Sequence, residues 1–204
     1  MALLVRHGRT PTTGTVLPGR APGLHLSEAG RAQARATAER IATLKTAPAA
    51  VYASPLERAV ETARPIARAL GLRVRIDKGL LECDFGDWTG KSLRLLARRR
   101  EWRTVQVLPG SFRFPGGESF VEMQTRIVDT IDRLAQRHRG GSFVAVSHAD
   151  PIKAAVAATA GVPLDLFQRL VVSPCSVTGL WRTENTNHIL CVNATSSLAE
   201  LALS

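Results

Sequence analysis

The stretch Leu3-Leu4-Val5-Arg6-His7-Gly8-Arg9-Thr10 decides the reading of this chain. Three apolar residues run straight into an arginine, a histidine and a glycine. Such a run predicts a strand buried on both faces that delivers two charged or titratable side chains at its carboxyl end. Gly8 then allows a sharp turn or a close backbone approach. An Arg-His pair at the mouth of a strand suits an anion site.

A second strand of the same kind is Ser142-Phe143-Val144-Ala145-Val146, which ends in Ser147-His148-Ala149-Asp150. Between the two, residues 49–53 read as a further buried strand. Ser54-Pro55-Leu56-Glu57-Arg58 follows it, with capping-box spacing between Ser54 and Glu57 and Pro55 at the first helical position. The helix is expected to run to Leu70, with Gly71 as its stop. Arg58 falls in its first turn, where free N–H groups and the helix dipole disfavour a cation. A bound anion beside it would account for it.

The remaining pattern alternates. Ser27 is placed to cap a helix over residues 28–45. Residues 72–76 alternate as a half-buried strand, and residues 91–103 read as one short basic helix. Phe120, Met123, Ile127, Ile131 and Leu134 mark one face of a helix over 118–139. A helix from about Pro151 to Gly161 is expected to take Asp150 as its cap, and 163–170 as one or two more turns. Residues 176–182 and 188–192 read as a closing hairpin, and the tail from Ala194 is small and polar, then weakly apolar. This order predicts one α/β domain over 1–204: a mostly parallel sheet with helices on both faces and a small lid excursion at about 90–118. Residues 10–23 form a long Pro/Gly/Thr-rich connection, a length that favours a functional loop.

Composition narrows the function. The net charge is +10 and the pI near 10.9, yet the basic residues are scattered, with Arg98-Arg99-Arg100 the only run. Aromatics make up only 5%, too few for a nucleic-acid stacking platform. The scatter favours a small anionic substrate over nucleic acid. Cys83, Cys175 and Cys191 are far apart and odd in number, against a disulfide framework or a zinc site. The amino terminus is too short and too soon charged for a signal peptide, and no apolar run approaches the roughly 18 residues of a membrane span. A cytoplasmic protein with no membrane partner is expected, with a homodimer left open. The Gly86-to-Ser92 stretch imitates a nucleotide P-loop but lacks its spacing and a preceding strand.

In an open α/β sheet, ligands lie beyond the carboxyl ends of the strands. His7, His148, Arg6 and Arg58 converge there, and guanidinium forks match phosphoryl oxygens. No GxSxG elbow and no cysteine phosphate loop offers a nucleophile. Histidine can serve as one, when neutral, and neighbouring arginines lower its pKa. Glu82, in an apolar setting that raises a carboxyl pKa, is the candidate general acid.

Arg6-His7-Gly8, Ser54-Pro55-Leu56-Glu57-Arg58-Ala59 with Thr62-Ala63, Leu81-Glu82-Cys83-Asp84-Phe85-Gly86-Asp87-Trp88-Thr89-Gly90, and Ser147-His148 together resemble the histidine phosphatase superfamily, the phosphoglycerate-mutase-like proteins. The motifs occur in that family's order and cover about residues 3–192. The resemblance implies that His7 is phosphorylated, that Arg6, Arg58 and His148 hold the phosphoryl group, that Glu82 donates the proton, and that no metal or other cofactor is needed. Two positions depart from the pattern. The asparagine usual a few residues after the histidine is missing, and Thr13 is the substitute considered, with Arg20 as a substrate contact. The mutases follow their acid with an arginine, where this chain has Cys83. That favours hydrolysis of a small phosphorylated metabolite. Mutase-type transfer, or phosphate binding without turnover, are the alternatives.

Overall fold

In the computed structural model, which describes residues 1–183, 187–196 and 198, a six-stranded sheet carries the fold. Its strands are β1 (Ala2–Arg6), β2 (Val51–Ala53), β3 (Val74–Ile76), β4 (Phe143–Ser147), β5 (Val177–Arg182) and β6 (Asn187–Ala194), in the order β3-β2-β4-β1-β5-β6. The four on the β3 side are mutually parallel. β5 is antiparallel to β1, and β6 to β5. The α/β expectation of a mostly parallel sheet is met, with the closing hairpin as its antiparallel edge.

Side chains along β1 alternate between two cores. Leu3 and Val5 join Val51, Val144 and Val146 on one face. Ala2 and Leu4 join Tyr52, Phe143 and Ala145 on the other. The first face is covered by α1 (Glu28–Ala42) and α2 (Glu57–Ala69) through Ala38, Ile41, Ala63 and Ile66. The second is covered by α5 (Phe120–Arg137) and α6 (Ala149–Ala160). The stripe predicted for α5 is fully inside, with Phe120 to Leu134 at 1% exposure or less. Its start is a true capping box, Ser119 with Glu122. Burying each such side chain stabilises the fold by about 1.5–3 kcal/mol, before the entropy of ordering it.

Several boundaries differ from the sequence reading. The strand expected over 49–53 pairs only from Val51, and that over 72–76 only from Val74, where it is a short, half-exposed edge. The basic helix of 91–103 is two, α3 (Leu93–Leu96) and α4 (Arg100–Val107). They form the lid with the 3-10 turn Pro109–Ser111. An aromatic cluster of Trp88, Trp102, Phe112 and Phe114 seats this lid, and Arg99 lies over the Trp88 ring. The Gly86–Trp88 segment is a 3-10 turn with Trp88 buried, which disposes of the P-loop likeness. Residues 163–170 form a 3-10 helix, Leu164–Arg169. Most of the tail after Ala194 lies outside the described residues.

The long loop after β1 is stitched to the lid. Leu17 N donates to Lys91 O at 2.9 Å, Gly90 N to Leu17 O at 2.7 Å and Leu93 N to Thr15 O at 2.9 Å. At its start the loop passes very close to α1. A Cβ on Gly8 would come 2.6 Å from Gly30 O, and one on Gly30 would overlap the Arg9 carbonyl. Two glycines are therefore required where the chain leaves His7.

Candidate active site

Strand register builds the site. In the parallel β1–β4 pair, Arg6 stands opposite Ser147, so His7 and His148 follow from neighbouring strand ends. His7 N donates to Ser147 O at 3.0 Å, extending the ladder by one bond. The two imidazoles meet edge-on, with centroids 5.2 Å apart at 62°. On the other side of β4, Ala53 pairs with Val146, which brings Ser54 to the same edge.

Ser54 corrects the sequence reading. It is not the cap of α2, whose N-cap is Leu56 with no side-chain bond. Its hydroxyl instead lies 2.9 Å from His148 Nε2 and accepts a long bond from Leu56 N. The shorter contact is to the buried imidazole, and the hydroxyl makes no bond to the Glu57 amide that a capping box would require. Asp150 is corrected likewise. It lies inside the first turn of α6, whose N-cap is His148, and it pairs with Lys153 at 3.5 Å.

The hydrogen bonds of His7 fix its tautomer. Nδ1 is 2.8 Å from Gly8 O, an acceptor only, so Nδ1 carries the proton and Nε2 a lone pair. Arg58 Nε donates to that Nε2 at 3.3 Å. Burial and then the charges of Arg58 and Arg6 push the imidazole down to about 3, so it is neutral across the physiological range. His148 is lowered too, by burial first and then Arg58.

Arg58 has no exposed surface at all. Its Nη2 donates to Gly19 O at 2.7 Å, which ties the long loop to α2. Arg6 Nη1 donates to Val172 O at 2.7 Å. Each guanidinium then retains one buried nitrogen without a protein partner, Arg58 Nη1 and Arg6 Nε, and His148 Nδ1 is a third such atom. Buried polar atoms left unpaired are costly, roughly 1–3 kcal/mol each, and a group of them around one histidine marks a ligand's place. Thr62 completes the support, accepting from Gly8 N at 3.0 Å and donating to Arg58 O at 2.7 Å.

In front of His7 is a cavity of about 310 Å³. Arg6, His7 and Glu82 form part of its wall, while Arg58 and His148, both without exposed surface, adjoin His7. Glu82 is raised to about 7, by burial first and by the Asp150 carboxylate second. Its Oε1 accepts from Cys83 N at 2.9 Å. The carboxyl therefore keeps its proton up to about neutrality and exchanges it there, as a group that serves as acid and then as base requires. Thr13 lines the cavity, with its hydroxyl accepting from Thr10 N at 2.8 Å and lying 3.0 Å from Thr10 Oγ1. Among the described residues no cluster of three or more His, Cys, Asp or Glu is placed to hold a metal ion.

Arg20 is not a cavity residue. Its Nε donates to Glu82 O at 2.9 Å, and its other nitrogens pair with Asp84 at 3.4 Å and Glu118 at 2.8 Å. Arg126 reaches the same place from α5, donating to Glu118, Leu81 O and Glu82 O. The expected substrate contact is a brace for the acid's backbone. Ser54 and Thr62 stood in the sequence only as parts of a motif, with no site role given to either, and the Glu118–Arg126 pair was not singled out at all. Ser54 also carried a positional signal, its place directly after a strand that ends at the site's edge.

Residues 2–195 match the family model described as histidine phosphatase superfamily (branch 1). Phosphoserine phosphatase 1 of Hydrogenobacter thermophilus is 30% identical over 203 residues, covering 97% of this chain and 94% of that one. A probable phosphoglycerate mutase of Enterobacter sp. is 31% identical over 176 residues, 85% of this chain and 81% of its own. The chain spans only 42% of a bifunctional protein of Mycobacterium tuberculosis to which it is 37% identical over 163 residues, 74% of this chain. Among solved structures, a mycobacterial glucosyl-3-phosphoglycerate phosphatase superposes with a TM-score of 0.83 at 28% identity, covering 95% of this chain and 98% of that one. A Bacillus stearothermophilus protein superposes with a TM-score of 0.87 at 26% identity, covering 96% and 97%. The motif order, the paired strand-end histidines and the match over residues 2–195 agree: the chain belongs to branch 1 of the histidine phosphatase superfamily.

Proposed function

We infer that this chain is a phosphomonoesterase that transfers the phosphoryl group to His7 and then to water. The observation that carries the reading is the state of His7: neutral, protonated on Nδ1 by its bond to Gly8 O, with Nε2 bearing the lone pair. The 3.3 Å bond from Arg58 to that nitrogen is long, hence easily given up as phosphorus approaches. The unpaired nitrogens of Arg6, Arg58 and His148 are the groups to take the phosphoryl oxygens. Preorganised donors in a buried site stabilise developing charge without reorganisation.

In the first step Nε2 of His7 forms a bond to phosphorus and the ester P–O bond breaks. Its electron pair stays on the alcohol oxygen, which takes the proton of Glu82. In the second, water attacks phosphorus, gives its proton to the Glu82 carboxylate, and the P–N bond breaks with its pair returning to Nε2. The products are the alcohol and inorganic phosphate. Water as acceptor, rather than a second hydroxyl as in a mutase, is supported by Cys83. Its thiol is wholly buried, so the position after the acid puts no cation at the cavity.

The test is hydrolysis of p-nitrophenyl phosphate together with trapping of the enzyme in denaturant. An acid-labile, base-stable phosphoenzyme that disappears in His7→Ala is expected. A His7→Ala variant that keeps its rate would end this reading. A requirement for 2,3-bisphosphoglycerate with little net phosphate release would replace it with the mutase.

A further inference from the structure

The wall of the cavity beyond His7 and Glu82 has a definite chemistry. Val16 and Leu17 from the long loop, Leu93, Trp102 and Val105 from the lid, and Phe114 give it an apolar lining. The loop and lid are hydrogen-bonded together, and Trp102 is stacked on buried Trp88 at 6.2 Å, so this lining is backed rather than loose. Apart from His7, Arg6 and Glu82, the only charged lining residues described are Asp150 and Lys153. They are mostly buried, with side-chain exposures of 18% and 16%, and they are matched to each other. Lys153 Nζ donates to Asp150 Oδ1 at 3.5 Å and to Gln168 Oε1 at 3.1 Å, and sits 5.9 Å over the Phe167 ring. Its charge is already answered from three sides. A carboxylate brought in by a substrate would meet Asp150 as well as Lys153. Repulsion between like charges in a desolvated site is a strong discriminator.

We propose that this cavity selects phosphomonoesters of uncharged, apolar, ring-sized alcohols, and that Asp150, by occupying Lys153, excludes esters carrying a second negative charge. The proposal rests on the phosphatase reading above and adds the substrate class to it. The size agrees: about 310 Å³ is at the small end of small-molecule sites, enough for a phosphoryl group and one ring. Asp150 is then a specificity-determining residue that touches neither phosphorus nor the leaving oxygen.

The experiment compares kcat/KM for benzyl phosphate, O-phosphoserine and 3-phosphoglycerate, all esters of aliphatic alcohols, in the intact protein, with p-nitrophenyl phosphate as a general probe. Benzyl phosphate is expected to lead by about tenfold or more, the scale of burying a ring against an apolar wall. Asp150→Asn releases Lys153 and is expected to narrow that ratio by about tenfold, raising the two carboxylate esters relative to benzyl phosphate. Because Asp150 also acts on Glu82, the ratio between substrates is the readout and not the absolute rate. Trp102→Ala is expected to lower the benzyl phosphate rate selectively. Equal or better turnover of phosphoserine or 3-phosphoglycerate by the unaltered protein would overturn the proposal while leaving the phosphatase reading intact. So would a ratio that Asp150→Asn does not move. Absence of hydrolysis and of a phosphoenzyme with all four esters would instead defeat the phosphatase reading, and this proposal with it.

Discussion

Replacing Glu82 by glutamine separates its chemical role from its structural burden. The carboxyl is raised from 4.5 to about 7 in the folded protein, chiefly by burial. Between those values the folded chain holds a proton that the unfolded chain has lost, so stability falls as pH rises from about 4.5 through 7 and is flat above. The difference of about 2.5 pH units corresponds to roughly 3 kcal/mol. Glutamine keeps the oxygen that accepts from Cys83 N and has no proton to lose. Glu82→Gln is therefore expected to match the unaltered protein at pH 4.5 and to exceed it by up to roughly 3 kcal/mol at pH 8, or about 6–12 °C in Tm for a domain of this size. Over the same range its kcat on benzyl phosphate is expected to be lower by about 10²- to 10⁴-fold. Thermal unfolding in a pH series and steady-state kinetics supply both readouts. A variant that is less stable at pH 8, or whose advantage does not grow with pH, would show that Glu82 is ionised against Arg6 and Arg58. The general-acid argument would then fail.

Other substitutions probe the remaining parts. Arg58→Met removes the second-largest cause of the low His7 pKa, so the acid limb of kcat/KM should move to higher pH while the rate falls by about 10²- to 10³-fold; an unmoved acid limb would disconnect the two residues. Ser54→Ala strips His148 Nε2 of its partner and should cost about 1–3 kcal/mol in denaturant unfolding, with kcat reduced more than KM is raised; a stability change near zero would return Ser54 to the role of a loop residue. Gly30→Ala gains about 1 kcal/mol of helix propensity, yet its Cβ overlaps backbone that cannot retreat, so a net loss of at least about 2 kcal/mol is expected by the same assay.

Much of this architecture was legible because it is written in local pattern. An apolar run ending in Arg6-His7 needs no tertiary knowledge to be read as a strand delivering a site, and the stripe from Phe120 to Leu134 is a 3.6-residue period and nothing else. What the sequence concealed depends on partners distant along the chain. Ser54 and Glu57 have capping-box spacing, but the pattern cannot reveal that the histidine just after β4 takes the shorter contact with the hydroxyl. Arg20 looked like a substrate contact because its loop borders the site. Its three ties, to Glu82, Asp84 and Glu118, exist only once the loop, the acid segment and α5 are folded together. Asp150 sits where a cap belongs, and only the start of α6 at Ala149 moves it inside. The lid broke into two short helices because Arg98 to Arg100 offers no apolar face to carry one helix through, while Leu96 and Val105 anchor the pieces separately.

The pairing of Arg6 with Ser147 across β1 and β4 has a kinetic corollary. Side chains on a strand change faces with every step, so a slip of one position would turn His7 away from His148 entirely. No intermediate alignment would leave the rings partly engaged. Damage to this strand pair, even at its far end beside Met1, should consequently reduce how many molecules are competent and not how fast a competent molecule turns over. Active-site titration of such variants would then return fewer sites at full speed.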